Sequence, residues 1–220
     1  MTKTEYSTVF SLLETEHQPT MLEQFSHYTP FQQLIATLLS SRTKDTTTIP
    51  LVDKMFKQYQ TPQDFVMIDI KELESLLYGI GFYKVKAQNI KKSSKIIIEN
   101  YANQIPQNFE ELTSLPGVGP KTANCILSNT FHLPAIAVDV HVHRISNRLG
   151  WVQTTIPEQT EEQLKKTIPK ELWNKVNPLL VDHGQRICLP RTPRCENCLI
   201  TKYCQYYRKS ARKPRPLANG

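Results

Sequence analysis

Apolar residues recur along this chain at the spacing of helices. Phe31, Leu34, Ile35, Leu38 and Leu39 stand at i, i+3, i+4, i+7 and i+8, which draws one stripe down a helix. Leu51, Val52, Met55, Phe56 and Tyr59 repeat the pattern, as do Leu172, Trp173, Val176, Leu179 and Leu180. Ile90, Ile97 and Tyr101 mark a further face in a long stretch that begins near Lys84. Alternation with period two, the mark of a half-buried strand, is almost absent. The segment 135–138 is short and apolar, but no second segment is suited to pair with it. The pattern predicts an all-α fold.

Proline and glycine divide these helices into short pieces. Thr61-Pro62, Gly79-Ile80-Gly81, Ile105-Pro106, Leu133-Pro134, Ile156-Pro157 and Ile168-Pro169 read as connections. No internal repeat stands out. The residues from about Tyr206 onward carry Lys209, Arg212, Lys213 and Arg215 with two prolines, and are expected to form a basic, disordered tail.

Composition alters this picture little. The 220 residues suffice for one compact unit or two small ones, and 39% of them are hydrophobic, as in ordinary globular proteins. No run of about 18 apolar residues suggests a membrane span. The opening Met1-Thr2-Lys3-Thr4-Glu5 is polar, unlike a signal peptide. A cytoplasmic protein (nucleoid-associated in a prokaryote) or a nuclear one is expected. The net charge of +7 suits a polyanionic partner.

The most informative stretch is Leu115-Pro116-Gly117-Val118-Gly119-Pro120-Lys121-Thr122-Ala123. One helix, over 109–114, leads in; another, from Pro120 to about Asn129, leads out. Between them a Gly-x-Gly turn lets another backbone approach closely. Its amides and the following helix start form an anion site, and Pro120 fits the first turn, where a missing N–H costs nothing. This is a helix-hairpin-helix pattern, able to hold a DNA phosphate through Gly117, Val118 and Gly119 without reading sequence. Lys121 follows in the first helical turn. The helix dipole and any burial there favour a neutral amine, which can attack a sugar carbon and form a Schiff base. Seen alone, Lys121 reads more readily as a solvated lysine beside a phosphate.

Downstream, Asp139 follows an apolar run and is expected to cap a helix. A carboxylate so held can also steady a cationic sugar or accept a proton. His141 and His143 are two apart, on different helix faces, which argues against a shared metal. Four of the five cysteines cluster as Cys188-x6-Cys195-x2-Cys198-x5-Cys204. Such a set suits tetrahedral zinc or a [4Fe–4S] cluster, and the uneven spacing with a single C-x2-C favours iron–sulfur. Cys125 stands apart as a small core residue. The loop between Cys188 and Cys195 presents Arg191 and Arg194, suited to phosphate.

Taken together, these motifs resemble the endonuclease III family of helix-hairpin-helix glycosylases, from about residue 20 to residue 204. The resemblance rests on the 115–124 hairpin, on Val138-Asp139-Val140-His141-Val142-His143-Arg144, and on the cysteine spacing. It implies a two-lobed fold. One lobe is a six-helix barrel carrying the hairpin, over residues 22–133. The other is a helical [4Fe–4S] domain from residues 1–21 and 134–205, followed by the tail, 206–220, with the active site in the cleft between the lobes. It further implies a bifunctional DNA glycosylase and AP lyase of base excision repair. Such an enzyme excises oxidised pyrimidines and cleaves 3′ of the abasic site by β-elimination. Lys121 would be the nucleophile, Asp139 its carboxylate partner, and Cys188, Cys195, Cys198 and Cys204 the cluster ligands. A monomer acting on double-stranded DNA with damaged bases or abasic sites is implied, with His141 and Arg144 among the DNA contacts.

One position departs from the family. In Leu38-Leu39-Ser40-Ser41-Arg42-Thr43-Lys44-Asp45, Arg42 stands where the family has a glutamine that fills the gap left by a flipped base. Arginine can stack on bases and reach O6 or N7 of guanine. It can also leave the stack for a phosphate, or simply end a helix. Phe82 occupies the family's position for a second, apolar wedge. The alternatives to the bifunctional reading are a mismatch-directed uracil or thymine glycosylase of the same superfamily, and a DNA-binding protein without catalysis.

Overall fold

The structure, a computed structural model, describes residues 2–211. Among them there are helices and connections, and no strand. In chain order the helices are α1 (Lys3–Glu14), α2 (Met21–Gln24), α3 (Pro30–Ser40), α4 (Asp45–Met55), α5 (Pro62–Met67), α6 (Ile70–Leu76) and α7 (Tyr83–Tyr101). After them come α8 (Phe109–Ser114), α9 (Pro120–Cys125), α10 (Val140–Leu149), α11 (Pro157–Thr167), α12 (Trp173–Arg186) and α13 (Gln205–Ala211). None is long and apolar enough to cross a membrane.

The starts of these helices follow from their caps. Thr29 and Thr61 accept from the backbone N–H three residues on, and Pro30 and Pro62 fill the first helical positions. Asp69, Asn108 and Asp139 cap α6, α8 and α10 in the same way. Helix α9 is shorter than its sequence suggests: after Cys125 it widens into a π turn over Ile126–Thr130. Residues 135–138 are buried but irregular.

The chain forms two compact units. Pro19–Ala137 is one, holding α2 to α9. Its core is built from the stripe of α3 (Phe31, Leu34, Ile35, Leu38, Leu39) with Val52, Met55, Phe65, Leu73, Ile90 and Ile97, all buried. The other unit joins α1 to everything from Val138 onward. There α10 and α12 pack closely enough that a Cβ on Gly184 would lie 2.7 Å from His141 Nδ1. Tyr6 and Phe10 of α1 meet Trp151 edge to face at 5.2 and 5.6 Å.

The expected tail begins differently. Residues 205–211 form helix α13, whose Tyr206 ring lies 4.9 Å from the Arg148 guanidinium. That cation–π contact gives the segment a packing partner, which composition alone did not reveal. Residues 212–220 of the expected tail lie outside the described residues.

Candidate functional site

The hairpin folds as its sequence requires. Gly117 takes φ +85°, a conformation costly for any residue with a Cβ. A Cβ there would also meet the Asn89 amide at 2.9 Å. Ser93 on α7 donates to the Pro116 carbonyl at 2.9 Å, so α7 braces the turn. Val118 turns its side chain into the core, and its N–H is taken by Leu115 O at 3.0 Å. Of the three turn residues expected at a phosphate, the outward ones are therefore Gly117 and Gly119, both exposed and with no acceptor inside the turn. Lys121 follows, half-buried in the first turn of α9.

Beside the hairpin lies a recess enclosing about 610 Å³, partly open to solvent. It is lined by Leu38, Ser41 and Arg42, by Phe82, Val85, Lys86 and Asn89, and by Gly117. Arg42 and Phe82, named from sequence as separate wedges, meet here. The Arg42 guanidinium stands 5.3 Å from the centre of the Phe82 ring. Both residues adopt the left-handed conformation, at φ 55° and 59°. Non-glycine residues held there store strain, and such strain gathers at functional sites.

In the other unit Asp139 caps α10 through one oxygen: Oδ1 accepts from His141 N–H at 2.8 Å and Val142 N–H at 2.9 Å. The capping role expected from sequence is thus present, and it fixes the carboxylate rigidly. His141 and Arg144, expected at DNA, contact each other at 3.2 Å. Arg144 also donates to Gly184 O at 3.1 Å and to Cys188 O at 3.0 Å. Its guanidinium is engaged in joining α10 to the end of α12.

The four clustered cysteines line one recess of about 380 Å³ with Ile145, Leu149, Ile187 and Ile200. Burial pushes the Cys195, Cys198 and Cys204 thiols up, Cys198 to about 11, and the neighbouring thiolates add to the rise. Thiols gathered in one recess suit a cationic metal group that displaces their protons. Among the described residues, however, no group of three or more His, Cys, Asp or Glu converges as one ion requires. Arg191 and Arg194 are exposed on the loop that leads into this recess.

Sequence reading missed three residues here. Lys86 is buried and engaged by backbone oxygens. Arg148 donates to Cys188 Sγ at 3.3 Å and to the carbonyls of Leu189 and Pro190 at 2.7 and 2.5 Å. His183 is buried with its pKa lowered by desolvation to about 4, and its Nε2 lies 3.6 Å from Cys198 Sγ. Lys86 carried a signal: it interrupts an otherwise small or apolar stripe of α7 with Ala87, Ile90, Ser93 and Ile97.

Comparisons with known proteins show the family of the chain. Residues 35–170 match the model of the HhH-GPD superfamily base excision DNA repair protein. The chain is similar to endonuclease III of Thermotoga maritima, 48% identical over 180 residues, spanning 82% of this chain and 84% of the relative. It superposes on a non-covalent endonuclease III–DNA complex with a TM-score of 0.85 and 34% identity, over 97% of this chain and 100% of that one. For a trapped covalent endonuclease III–DNA intermediate the TM-score is 0.82 at 34% identity, over 96% and 100%. The chain belongs to the endonuclease III family of the HhH-GPD superfamily of base excision DNA repair proteins.

Proposed function

We propose that this DNA glycosylase and AP lyase of base excision repair excises oxidised pyrimidines from double-stranded DNA through a Schiff base on Lys121. The placement of Lys121 carries this reading: a half-buried amine in the first helical turn after a glycine hairpin whose outward amides suit a phosphate. The amine attacks C1′ and the damaged base departs with the bonding electrons. The sugar ring opens to an imine between C1′ and the lysine nitrogen. Loss of a C2′ proton then expels the 3′ phosphate, and water hydrolyses the imine to restore the amine. Asp139 supports the developing sugar cation and takes a proton. Its Oδ1 is held by two backbone N–H groups, which limits the reorganisation this task requires.

Arg42 and Phe82 enter the stack as the base leaves, and Gly117, Gly119, Arg191 and Arg194 hold phosphates. Cys188, Cys195, Cys198 and Cys204 would hold a [4Fe–4S] cluster, whose chemistry when bound is to tie four thiolates and fix the loop between them. The enzyme acts as a monomer.

The test is borohydride reduction in the presence of abasic-site DNA. A covalent adduct should form with the intact protein and vanish with Lys121→Ala. A protein that excises thymine glycol yet never traps would be monofunctional, and an adduct persisting in Lys121→Ala would place the nucleophile elsewhere. Iron analysis of the purified protein tests the cluster: stoichiometric zinc without visible absorption would exclude it.

A further inference from the structure

Lys86 is a buried lysine without a carboxylate partner. Its Nζ donates to Leu39 O at 2.9 Å and Ser41 O at 2.5 Å, with Thr43 Oγ1 at 3.5 Å. The first two acceptors are carbonyls around the end of α3, where the helix leaves such groups without intrahelical partners. A cation there also meets the negative end of the helix dipole. Burial lowers its pKa to about 8, while three accepting oxygens favour the ammonium form, which has three donors.

The turn that Lys86 closes is the one that carries Arg42. Two further ties join that turn to the one carrying Phe82. Gly81 N–H donates to Thr43 Oγ1 at 3.1 Å, the same hydroxyl that faces Lys86. A Cβ on Gly81 would lie 2.7 Å from the Arg42 carbonyl, so the two backbones touch. Arg42 and Phe82 thus project from two left-handed residues on abutting turns, with the guanidinium over the ring. Left-handed conformations of such residues persist only where their surroundings over-determine them. Lys86 stands at the base of the Arg42 turn, and it lines the same recess as the pair.

We infer that Lys86 is a positioning residue: it locks the Arg42 and Phe82 turns together, so that the two side chains meet DNA as one preformed wedge. This rests on the wedge reading of Arg42 and Phe82 given above. Lys86 touches no reacting atom. It acts on the opening of a duplex and leaves untouched a step in which no stack has to be opened.

The experiment compares duplex with single-stranded DNA. Lys86→Met should slow single-turnover excision of thymine glycol from duplex by roughly tenfold to a hundredfold, the scale of a small misplacement in a preorganised site. Its duplex affinity should change little. Borohydride trapping on single-stranded abasic DNA should stay at the intact rate. The fluorescence of 2-aminopurine beside the lesion, which reports unstacking without any chemistry, should rise less than with the intact protein. Lys86→Arg, which keeps a cation with several donors, should restore part of the loss.

A cycle with Arg42→Ala decides the mechanism: if Lys86 acts through the wedge, the double variant is no slower than the worse single one. Losses that multiply would overturn the inference, as would an equal loss on single-stranded DNA. Were Arg42→Ala and Phe82→Ala both without effect on duplex excision, the wedge reading itself would fall. If they slow excision while Lys86→Met does not, only the role of Lys86 falls. Should Lys86→Met fail to fold, Thr43→Val replaces it, because that change removes the hydroxyl shared by Lys86 and Gly81. The same duplex-selective loss is expected, and its absence would overturn the inference.

Discussion

At the end of α3 the carbonyls of Leu39 and Ser41 turn onto a single ammonium, that of Lys86. At the end of α12 the carbonyls of Gly184, Cys188, Leu189 and Pro190 are gathered by two guanidinium groups, Arg144 and Arg148. Each unit thus closes a helix end with cations from another helix, but the two closures are built differently. An ammonium is a compact charge, able to draw a few oxygens to one point, and it suits a tight turn whose own side chains must face outward. A guanidinium is a planar fork that spans several acceptors at once, and it suits a longer irregular loop. The first closure leaves Arg42 and Phe82 exposed. The second fixes the segment in which Cys188 lies, and Arg148 reaches the Cys188 sulfur itself. The comparison teaches that the choice between ammonium and guanidinium follows the shape of the segment to be closed.

The sharpest way to break this comparison is Arg148→Ala. It removes donors to Leu189 O, Pro190 O and Cys188 Sγ together. With hydrogen bonds to a charged group at about 1.5–3 kcal/mol each and partly replaced by water, a net loss of about 3 kcal/mol is expected. The iron of the proposed cluster should leave the protein faster under a chelator. Unchanged iron release and an unchanged melting temperature would show that the guanidinium is incidental to the loop. Gly184→Ala should follow in size. Its Cβ would stand 2.7 Å from His141 Nδ1 and 3.0 Å from Arg144 Nη2, and overpacking of this kind costs about 2 kcal/mol. A urea midpoint equal to that of the wild type would mean that α10 and α12 can part without penalty.

Much of this was legible in the chain. Thr61-Pro62 reads as a connection and Asp139 as a helix cap through local chemistry, and the structure starts a capped helix at each. The stripe from Phe31 to Leu39 announces a core face, and all five of its residues are buried. Gly117-Val118-Gly119 announces a turn whose first glycine takes positive φ. What stayed hidden depends on residues far apart in sequence. Lys86 finds its oxygens 43 to 47 positions away, and Arg148 reaches its carbonyls and sulfur at separations of 40 to 42. The left-handed backbone at Arg42 and Phe82 was hidden for another reason. Neither is glycine, so the conformation comes from the contact of two turns and not from either residue's own preference. Helix α13 belongs to the same class, since the partner of Tyr206 is Arg148, on α10.

Returning to the unit of Lys86, Gly117→Ala places a side chain at φ +85°, at a cost of about 1–2 kcal/mol, with the Asn89 amide in its way. Duplex affinity should weaken, because the turn that presents Gly117 and Gly119 must shift. Adding Asn89→Ala should recover the steric part and leave the backbone part. Full recovery would mean that the positive φ contributes nothing.

The smallest expected effect lies in the other unit and concerns acid. Burial alone would raise the Asp182 carboxyl, but the Arg186 guanidinium, the Gln18 N–H and His17 together bring it below its ordinary value. Arg186 holds both oxygens, at 2.6 and 2.7 Å. A carboxyl whose folded pKa is depressed adds stability that is complete above its unfolded pKa and is lost as the pH falls through the folded one. Intact protein should therefore lose stability on acidification below about pH 4, near the unfolded carboxylate pKa. Asp182→Asn should be less stable by about 1 kcal/mol at neutral pH, the scale of one hydrogen bond. Its melting temperature should change less through the acid range, so that the two curves converge. Curves that stay parallel down to pH 2 would show that the pair does not govern how this unit resists acid, and that its tie from α12 to the segment at Gln18 is held by packing instead.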